Sequence, residues 1–241
     1  TELEANPQDM YDWKIYCDDL IKSVELFVEK TQKPIILSGH SMGAASAIQV
    51  AAIRPDLVSG LVLVDPVLMT NKIKVIFKIA KKYPLFKNFP IIKQGMMMSE
   101  ATKKRRRDWK DKDEIFNSYK NKLIFKTWTE TTIRNYIEGG TEIKGDGISL
   151  TCDPLWEAAT FSSWKHDAMG LIDKLNCPIT LLQAEFNSTA RGNGPIKLMQ
   201  QDKLGTHKII TGSTHFLPME FPQIINKEIN NLQKRINNEK K

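Results

Sequence analysis

No apolar run in these 241 residues reaches the roughly 18–20 that a membrane-spanning helix needs, so no part of the chain is expected to span a bilayer. Cysteine is scarce. Cys17, Cys152 and Cys177 stand at wide, unrelated spacings, which excludes a disulfide framework and a metal-ligand pattern, and they read as reduced, partly buried thiols. Internal repeats and low-complexity tracts are lacking too. Nothing in the residues calls for a metal or a cofactor, and none is expected. Hydrophobic residues make up 41% and charged residues 26%, ordinary values for a globular protein that exclude disorder as the main state. The length suits one large domain, or a core domain with a sizeable insertion.

The formal charge of +7 is unevenly placed. Between residues 71 and 126 there are 17 Lys/Arg against 5 Asp/Glu, a net of +12, so the remainder of the chain is about −5. A basic surface can favour nucleic acid, anionic lipid or acidic substrates, and it is as compatible with a solvated helical face.

Four short apolar runs read as buried strands: Pro34 to Leu37, Gly60 to Val64, Cys177 to Leu182, and Lys208 to Thr211. Helices are expected over Asp12 to Lys30, Ala44 to Ile53 and from Pro222 to the end. This strand–helix alternation predicts an α/β fold, a mostly parallel sheet with helices on both faces. The interval from Pro66 to Asn176, about 110 residues, breaks the alternation. It holds a basic amphipathic pattern (Lys72 to Lys82), a charged helical stretch (Ser99 to Lys122), helical stretches at Thr129 to Glu138 and Asp153 to Ser163, and a Gly145-Asp146-Gly147 turn. No sheet strand is evident in it. The predicted division is therefore a core of residues 1–65 and 177–241 with a helical cap of residues 66–176.

Gly39-His40-Ser41-Met42-Gly43 fits G-x-S-x-G between a buried strand and an Ala-rich helix. That setting suits a nucleophile, because a sharp turn lifts the hydroxyl above the sheet and the small residues Gly39, Gly43, Ala44 and Ala45 leave room for it. Ser41 is the expected nucleophile, and the Met42 backbone N–H the expected oxyanion donor. A serine hydroxyl needs a base held by a carboxylate. Of four histidines, His40 lies inside the elbow and reads as a packing residue, while His166 and His207 sit away from the carboxyl end of a strand. His215 follows the last strand, in Gly212-Ser213-Thr214-His215-Phe216, and is the expected base.

The acid is less direct. The loop after the third strand reads Ala184-Glu185-Phe186-Asn187-Ser188, where Asn187 and Ser188 cannot ionise and Glu185 comes early. Asp65 ends the second strand, whose carboxyl end also faces the site. Asp65 is favoured, with Glu185 second.

The motifs Gly39-His40-Ser41-Met42-Gly43, Leu61-Val62-Leu63-Val64-Asp65-Pro66, Cys177 to Glu185 and Thr214-His215-Phe216-Leu217-Pro218-Met219-Glu220 make the sequence similar to the α/β-hydrolase superfamily, in its branch of lid-bearing esterases and lipases. The resemblance covers nearly the whole chain. Some members keep the acid after the strand matching residues 61–64, as Asp65 would be. It implies three or four further strands upstream of the elbow, with a His-Gly loop supplying a second oxyanion donor. None is legible before Asp12, so the chain reads as a fragment, as Thr1 in place of methionine also suggests. Ser41 argues against relatives that use a carboxylate nucleophile.

In the cap, Ile73, Ile76, Phe77 and Ala80 share one helical face and Lys74, Lys78 and Lys81 the other, which suits either a packed cap helix or a lid making weak contact with an anionic membrane surface. Met96, Met97 and Met98, with Phe89 and Ile91, suit a pocket wall or the cap's own core. Lys103-Lys104-Arg105-Arg106-Arg107 resembles a nucleic-acid patch in composition, but Asp108, Asp111, Asp113 and Glu114 follow, and a salt-bridged exposed helix is preferred, without nucleic acid as partner. The expected function is ester hydrolysis by two-step acyl transfer on a small-molecule substrate, set against a non-catalytic member of the fold that binds an apolar ligand or a partner. The expected location is the cytoplasm.

Overall fold

The computed structural model describes residues 7, 12–70, 72, 75–76, 79, 83, 90–163, 166–202 and 204–239. The chain divides into two compact units: Trp13–Lys74 with His166–Lys241, and Thr1–Asp12 with Val75–Lys165. Residues 66–70, 72 and 166–176 thus group with the first of these units rather than with the second.

The first unit carries four strands: β1 (Ile35–His40), β2 (Val58–Val64), β6 (Ile179–Ala184) and β7 (Thr206–Ile210). They form one sheet in the order β1-β2-β6-β7, and every pair is parallel. β2 is buried without a break from Gly60 to Val64, the continuous apolar run of a strand covered on both faces. Alternation sends Val62 and Val64 to one face, where they join a core with Leu182, Ile210, Leu217, Leu232 and Ile236. Leu61 and Leu63 go to the other face and are fully buried there. Helices α1 (Lys14–Thr31) and α2 (Met42–Ile53) flank β1, and α10 (Pro222–Glu239) ends the described residues. Residues 44–51 of α2 are buried throughout, which fits a helix so rich in alanine that it has no polar face. At Gly60 a Cβ would stand 2.9 Å from Ile236 Cδ1 and 3.1 Å from Leu232 Cδ2, so the missing side chain lets α10 lie close to β2.

The register determines where chemistry can gather. His40 is level with Val64, Val64 with Leu182, and Ala184 with Ile210. The strands therefore end along one edge, and the residues after them share it: Ser41, Asp65, residues 185–189 and residues 212–215. Parallel sheets present ligand-handling residues at this edge.

The second unit corrects the expectation of helices alone. Strands β3 (Asp108–Trp109), β4 (Thr141–Lys144) and β5 (Gly147–Leu150) form a three-stranded antiparallel sheet in the order β3-β5-β4. The two-residue loop between β4 and β5 starts at Gly145, whose φ of +59° is the left-handed value that such a hairpin favours in glycine. Strands this short, one of them reading Thr-Glu-Ile-Lys, offer too little apolar alternation to be seen in a sequence. The charged stretch from Ser99 to Lys122 is likewise not one helix. Helix α3 (Pro90–Lys103) stops before β3, and α4 (Lys112–Tyr119) begins afresh at Asp111, whose carboxylate accepts from Glu114 N–H at 2.8 Å. Helices α5 (Glu130–Gly139) and α6 (Pro154–Ser162) occupy the other two expected stretches, capped by Thr129 and Asp153.

Packing in this unit rests on aromatic rings. Tyr119 stacks on Phe125 at 4.8 Å, and Trp128 meets Phe125 and Tyr136 edge-on at 5.0 and 5.4 Å. Met96, Met97 and Met98 are 40–63% exposed. Phe89 and the Ile91 side chain lie outside the described residues, as does most of the 72–82 interval read as an amphipathic helix. The basic run is paired as a salt-bridged surface, only one pair of which uses the acids that follow it in sequence: Arg106 meets Glu114, whereas Lys103 pairs with Glu100, Arg105 with Glu157 and Arg107 with Asp153. Among the described residues no helix is long and apolar enough to cross a membrane.

Candidate active site

Ser41 sits at the turn between β1 and α2 with φ of +55° and ψ of −114°, a strained setting for a residue with a Cβ. The turn is held by Ser41 N–H donating to Val64 O at 3.0 Å, and by Ala45 and Val67 N–H groups donating to Ser41 O, both at 3.2 Å. A Cβ on Gly39 would fall 2.5 Å from both atoms of the Gly43 carbonyl, so only glycine fits there. Gly43 differs from expectation, because a Cβ on it would meet nothing within 4 Å. At the head of α2 the Met42 N–H has no intramolecular acceptor among the described residues, as first-turn N–H groups of a helix commonly do not.

His215 stands in the loop after β7, with Nε2 3.0 Å from Ser41 Oγ and Nδ1 2.7 Å from Asp65 Oδ2. An ionised carboxylate only accepts, so the Nδ1 proton points at Asp65 and Nε2 is left as an acceptor for the serine proton. Three side chains separated by 24 and 150 residues in sequence thus form one hydrogen-bonded file.

Asp65 is fully buried at the end of β2, with φ of +44°. Three donors besides His215 surround its carboxylate, with the Thr189 hydroxyl oxygen nearby. Ala184 N–H and Ser188 Oγ–H reach Oδ1 at 3.0 and 2.6 Å, while Thr189 N–H reaches Oδ2 at 2.9 Å and Thr189 Oγ1 lies 3.3 Å from it. Burial alone would push this carboxyl's pKa up. Hydrogen bonds from His215, Ser188, Thr189 and Ala184 outweigh it and hold the group below the usual carboxylate range.

The rival acid is elsewhere. Glu185 turns its carboxylate to Gly212 N–H at 2.7 Å, and among the described residues the structure does not bring it to His215. Asn187 occupies a left-handed turn position at φ of +55°. His207 contacts Gln183 on the sheet at 2.8 Å, and His166 stacks on Trp13 at 4.3 Å, so neither joins Ser41. His40 is more than packing. Its Nε2 donates to the main-chain oxygen of His215 at 2.6 Å.

Sequence reasoning misses His40, Ser188 and Thr189 as members of this cluster. The signal is present in part. The loop after β6 lacks an acid at its usual place, whereas Asn187-Ser188-Thr189 is a run of donors suited to an acid supplied by another strand.

A sequence model of the family described as serine aminopeptidase, S33, matches residues 5–156. The chain belongs to that family. Relatives of this chain include human monoglyceride lipase, 26% identical over 235 residues covering 93% of this chain and 66% of the relative, and (E)-2-((N-methylformamido)methylene)succinate hydrolase of Acinetobacter baylyi, 23% identical over 230 residues covering 92% and 70%. The chain thus spans just under two thirds of the human relative's length. Among solved structures, E-2-(acetamidomethylene)succinate hydrolase is similar with a TM-score of 0.68 at 18% identity, covering 96% of this chain and 77% of that one. The peroxisomal alpha-beta-hydrolase Lpx1 of Saccharomyces cerevisiae is similar with a TM-score of 0.70 at 17% identity, covering 92% and 59%. The fold of this S33 member is the α/β-hydrolase fold.

Proposed function

We propose that this S33 member is a serine hydrolase that cleaves carboxylic esters by two-step acyl transfer, with Ser41 as nucleophile, His215 as base and Asp65 as acid. The observation behind the reading is the continuous file Ser41 Oγ, His215 Nε2, His215 Nδ1, Asp65 Oδ2, with steps of 3.0 and 2.7 Å. In the first step Ser41 Oγ attacks the ester carbonyl carbon while His215 Nε2 takes the hydroxyl proton. The imidazolium, stabilised by Asp65, then protonates the departing alcohol. Water repeats the sequence against the acyl-enzyme and releases the acid. The Met42 N–H at the head of α2 is the donor for the tetrahedral oxyanion, an interaction worth about 3–4 kcal/mol in sites of this kind.

Esters are preferred to amides on the strength of monoglyceride lipase among the relatives, which makes a fatty-acid monoester of glycerol the first substrate to test. The lack of an acid at Asn187 and Ser188 favours a non-catalytic binding protein. It weighs less once a carboxylate from another strand accepts from His215. Labelling with a fluorophosphonate, which reacts only with an activated serine, tests the proposal directly. The protein is expected to be labelled, Ser41→Ala is expected not to be, and an unlabelled intact protein would retire the enzyme reading.

A further inference from the structure

Thr189 holds Asp65 at two places at once. Its N–H donates to carboxylate Oδ2 at 2.9 Å, and its hydroxyl lies 2.7 Å from the main-chain oxygen of the same residue. Three longer contacts surround that hydroxyl: Asp65 Oδ2 and Pro66 O, both at 3.3 Å, and His215 Nδ1 at 3.5 Å. A hydroxyl has one proton to give, and the shortest contact takes it. The hydroxyl proton therefore goes to the Asp65 carbonyl, and the oxygen's lone pairs face the Nδ1–H of His215.

The Asp65 backbone needs such a hold. With φ of +44° it occupies a left-handed conformation that costs an L-residue about 1–2 kcal/mol. Conformations of this kind persist where neighbouring contacts over-determine them. Asp65 N–H is tied to Leu182 O at 2.7 Å by the sheet, whereas its carbonyl depends on Thr189. Turning that peptide would swing the carboxylate away from His215. Ser188 plays a different part, since it bonds Oδ1, the oxygen that does not face the imidazole.

We propose that Thr189 is a positioning residue that locks the strained backbone of Asp65 and so aims Oδ2 at His215 Nδ1. The inference rests on the serine-hydrolase reading above. It assigns to the loop after β6 the task of holding a carboxylate supplied by β2.

The experiment compares Thr189→Val, which keeps the N–H and removes the hydroxyl, with Thr189→Ser, which restores it; Thr189→Ala replaces the valine variant if that one does not fold. Turnover of a p-nitrophenyl ester is measured across pH, and the downfield Nδ1 proton of His215 is followed by NMR with Asp65→Asn as the blank. Thr189→Val is expected to lower kcat by about tenfold to a hundredfold with KM little changed, the scale of a small misplacement of a reacting group. The acidic limb of its kcat/KM profile is expected at lower pH, because a poorly aimed carboxylate stabilises the imidazolium less. The Nδ1 proton signal is expected to move upfield or broaden, and Thr189→Ser is expected to recover most of all three. A valine variant with unchanged turnover and an unchanged Nδ1 signal would overturn the proposal. So would a serine variant as impaired as the valine one. Should the parent protein turn over no ester, the hydrolase reading fails separately, and the Nδ1 signal decides the role of Thr189 alone.

Discussion

His40 Nε2 donates to the main-chain oxygen of His215 at 2.6 Å, and the two rings stand 4.7 Å apart. Burial, followed by the neighbouring His215, pushes the His40 pKa down to about 4. In an unfolded chain the same imidazole titrates near its ordinary value of roughly 6.5. Between those two values the unfolded chain binds a proton that the folded protein refuses, so stability is full above pH ~6.5 and declines as the pH falls towards 4. The loss amounts to about 3 kcal/mol at most. Urea unfolding at a series of pH values should therefore show a steeper decline for the parent protein than for His40→Gln, which has no proton to bind. Parallel curves would show that His40 is not the titrating group.

Two glycines flank Ser41, and the structure asks for only one of them. Gly39→Ala would press a methyl group 2.5 Å from the Gly43 carbonyl and 2.7 Å from Ala44 N, backbone atoms that cannot yield without shifting the elbow. A loss of about 3 kcal/mol or more in stability is expected, seen as a large drop in melting temperature or as insoluble protein. Gly43→Ala meets open space inside α2 and is expected to be neutral or to stabilise by up to about 1 kcal/mol, the helix preference of alanine over glycine. Equal melting temperatures for both variants would contradict the elbow geometry.

The parallel sheet was legible because its strands are short apolar runs ending near glycine or an acid, but only the inner two, β2 and β6, are the buried strands expected; the outer two, β1 and β7, bury only Leu37 and Ile210. Ser41, Asp65 and His215 were legible for a related reason: each follows a strand, and parallel strands end on the same side. Trp109 and the Thr141–Lys144 strand were not, since a sheet of two- and four-residue strands is specified by cross-strand partners that are distant in sequence. The break between α3 and α4 was hidden by good helix formers on both sides, and Asp111 looked like one more charge in a charged stretch rather than a cap. Thr189 escaped for the opposite cause. A donor has no signature until its acceptor is known, and its acceptor lies 124 residues earlier.

The basic run from Lys103 to Arg107 has the composition of a nucleic-acid patch, yet Arg105, Arg106 and Arg107 each face a carboxylate, and Arg106 also lies 4.2 Å over the Trp109 ring. Pairs this exposed add little stability, about 0–1 kcal/mol each, but they spend charge that phosphates would need. Binding to duplex DNA is expected to be no tighter than about 10⁻⁴ M at physiological salt, at the weak end of non-specific association. Fluorescence anisotropy across a salt series is the check. Micromolar binding that weakens steeply with salt and vanishes in Arg106→Glu would reverse the expectation.

Asp65 and Glu185 compete for the role of acid, and the structure separates what their variants should do. Asp65→Asn keeps the volume but exchanges a pure acceptor for a group that also donates. In the fully buried site, ringed by donors from Ala184, Ser188, Thr189 and His215, the amide cannot satisfy them all, and His215 loses the partner that fixes its tautomer. Turnover is expected to fall by about 10³–10⁴-fold, as it does when the acid of a comparable triad is made an amide. The pH profile should change shape as well, because an imidazolium beside an amide gains no ion pair. Glu185→Gln leaves an acceptor for Gly212 N–H and touches nothing in the file, so its turnover is expected to stay within about threefold of the parent, less than 1 kcal/mol in the barrier. Steady-state kinetics on one ester, with fluorophosphonate labelling rates as a second reading of serine reactivity, separates the two. If Glu185→Gln were the crippled variant and Asp65→Asn the active one, the file from Ser41 to Asp65 would not be the route of the proton.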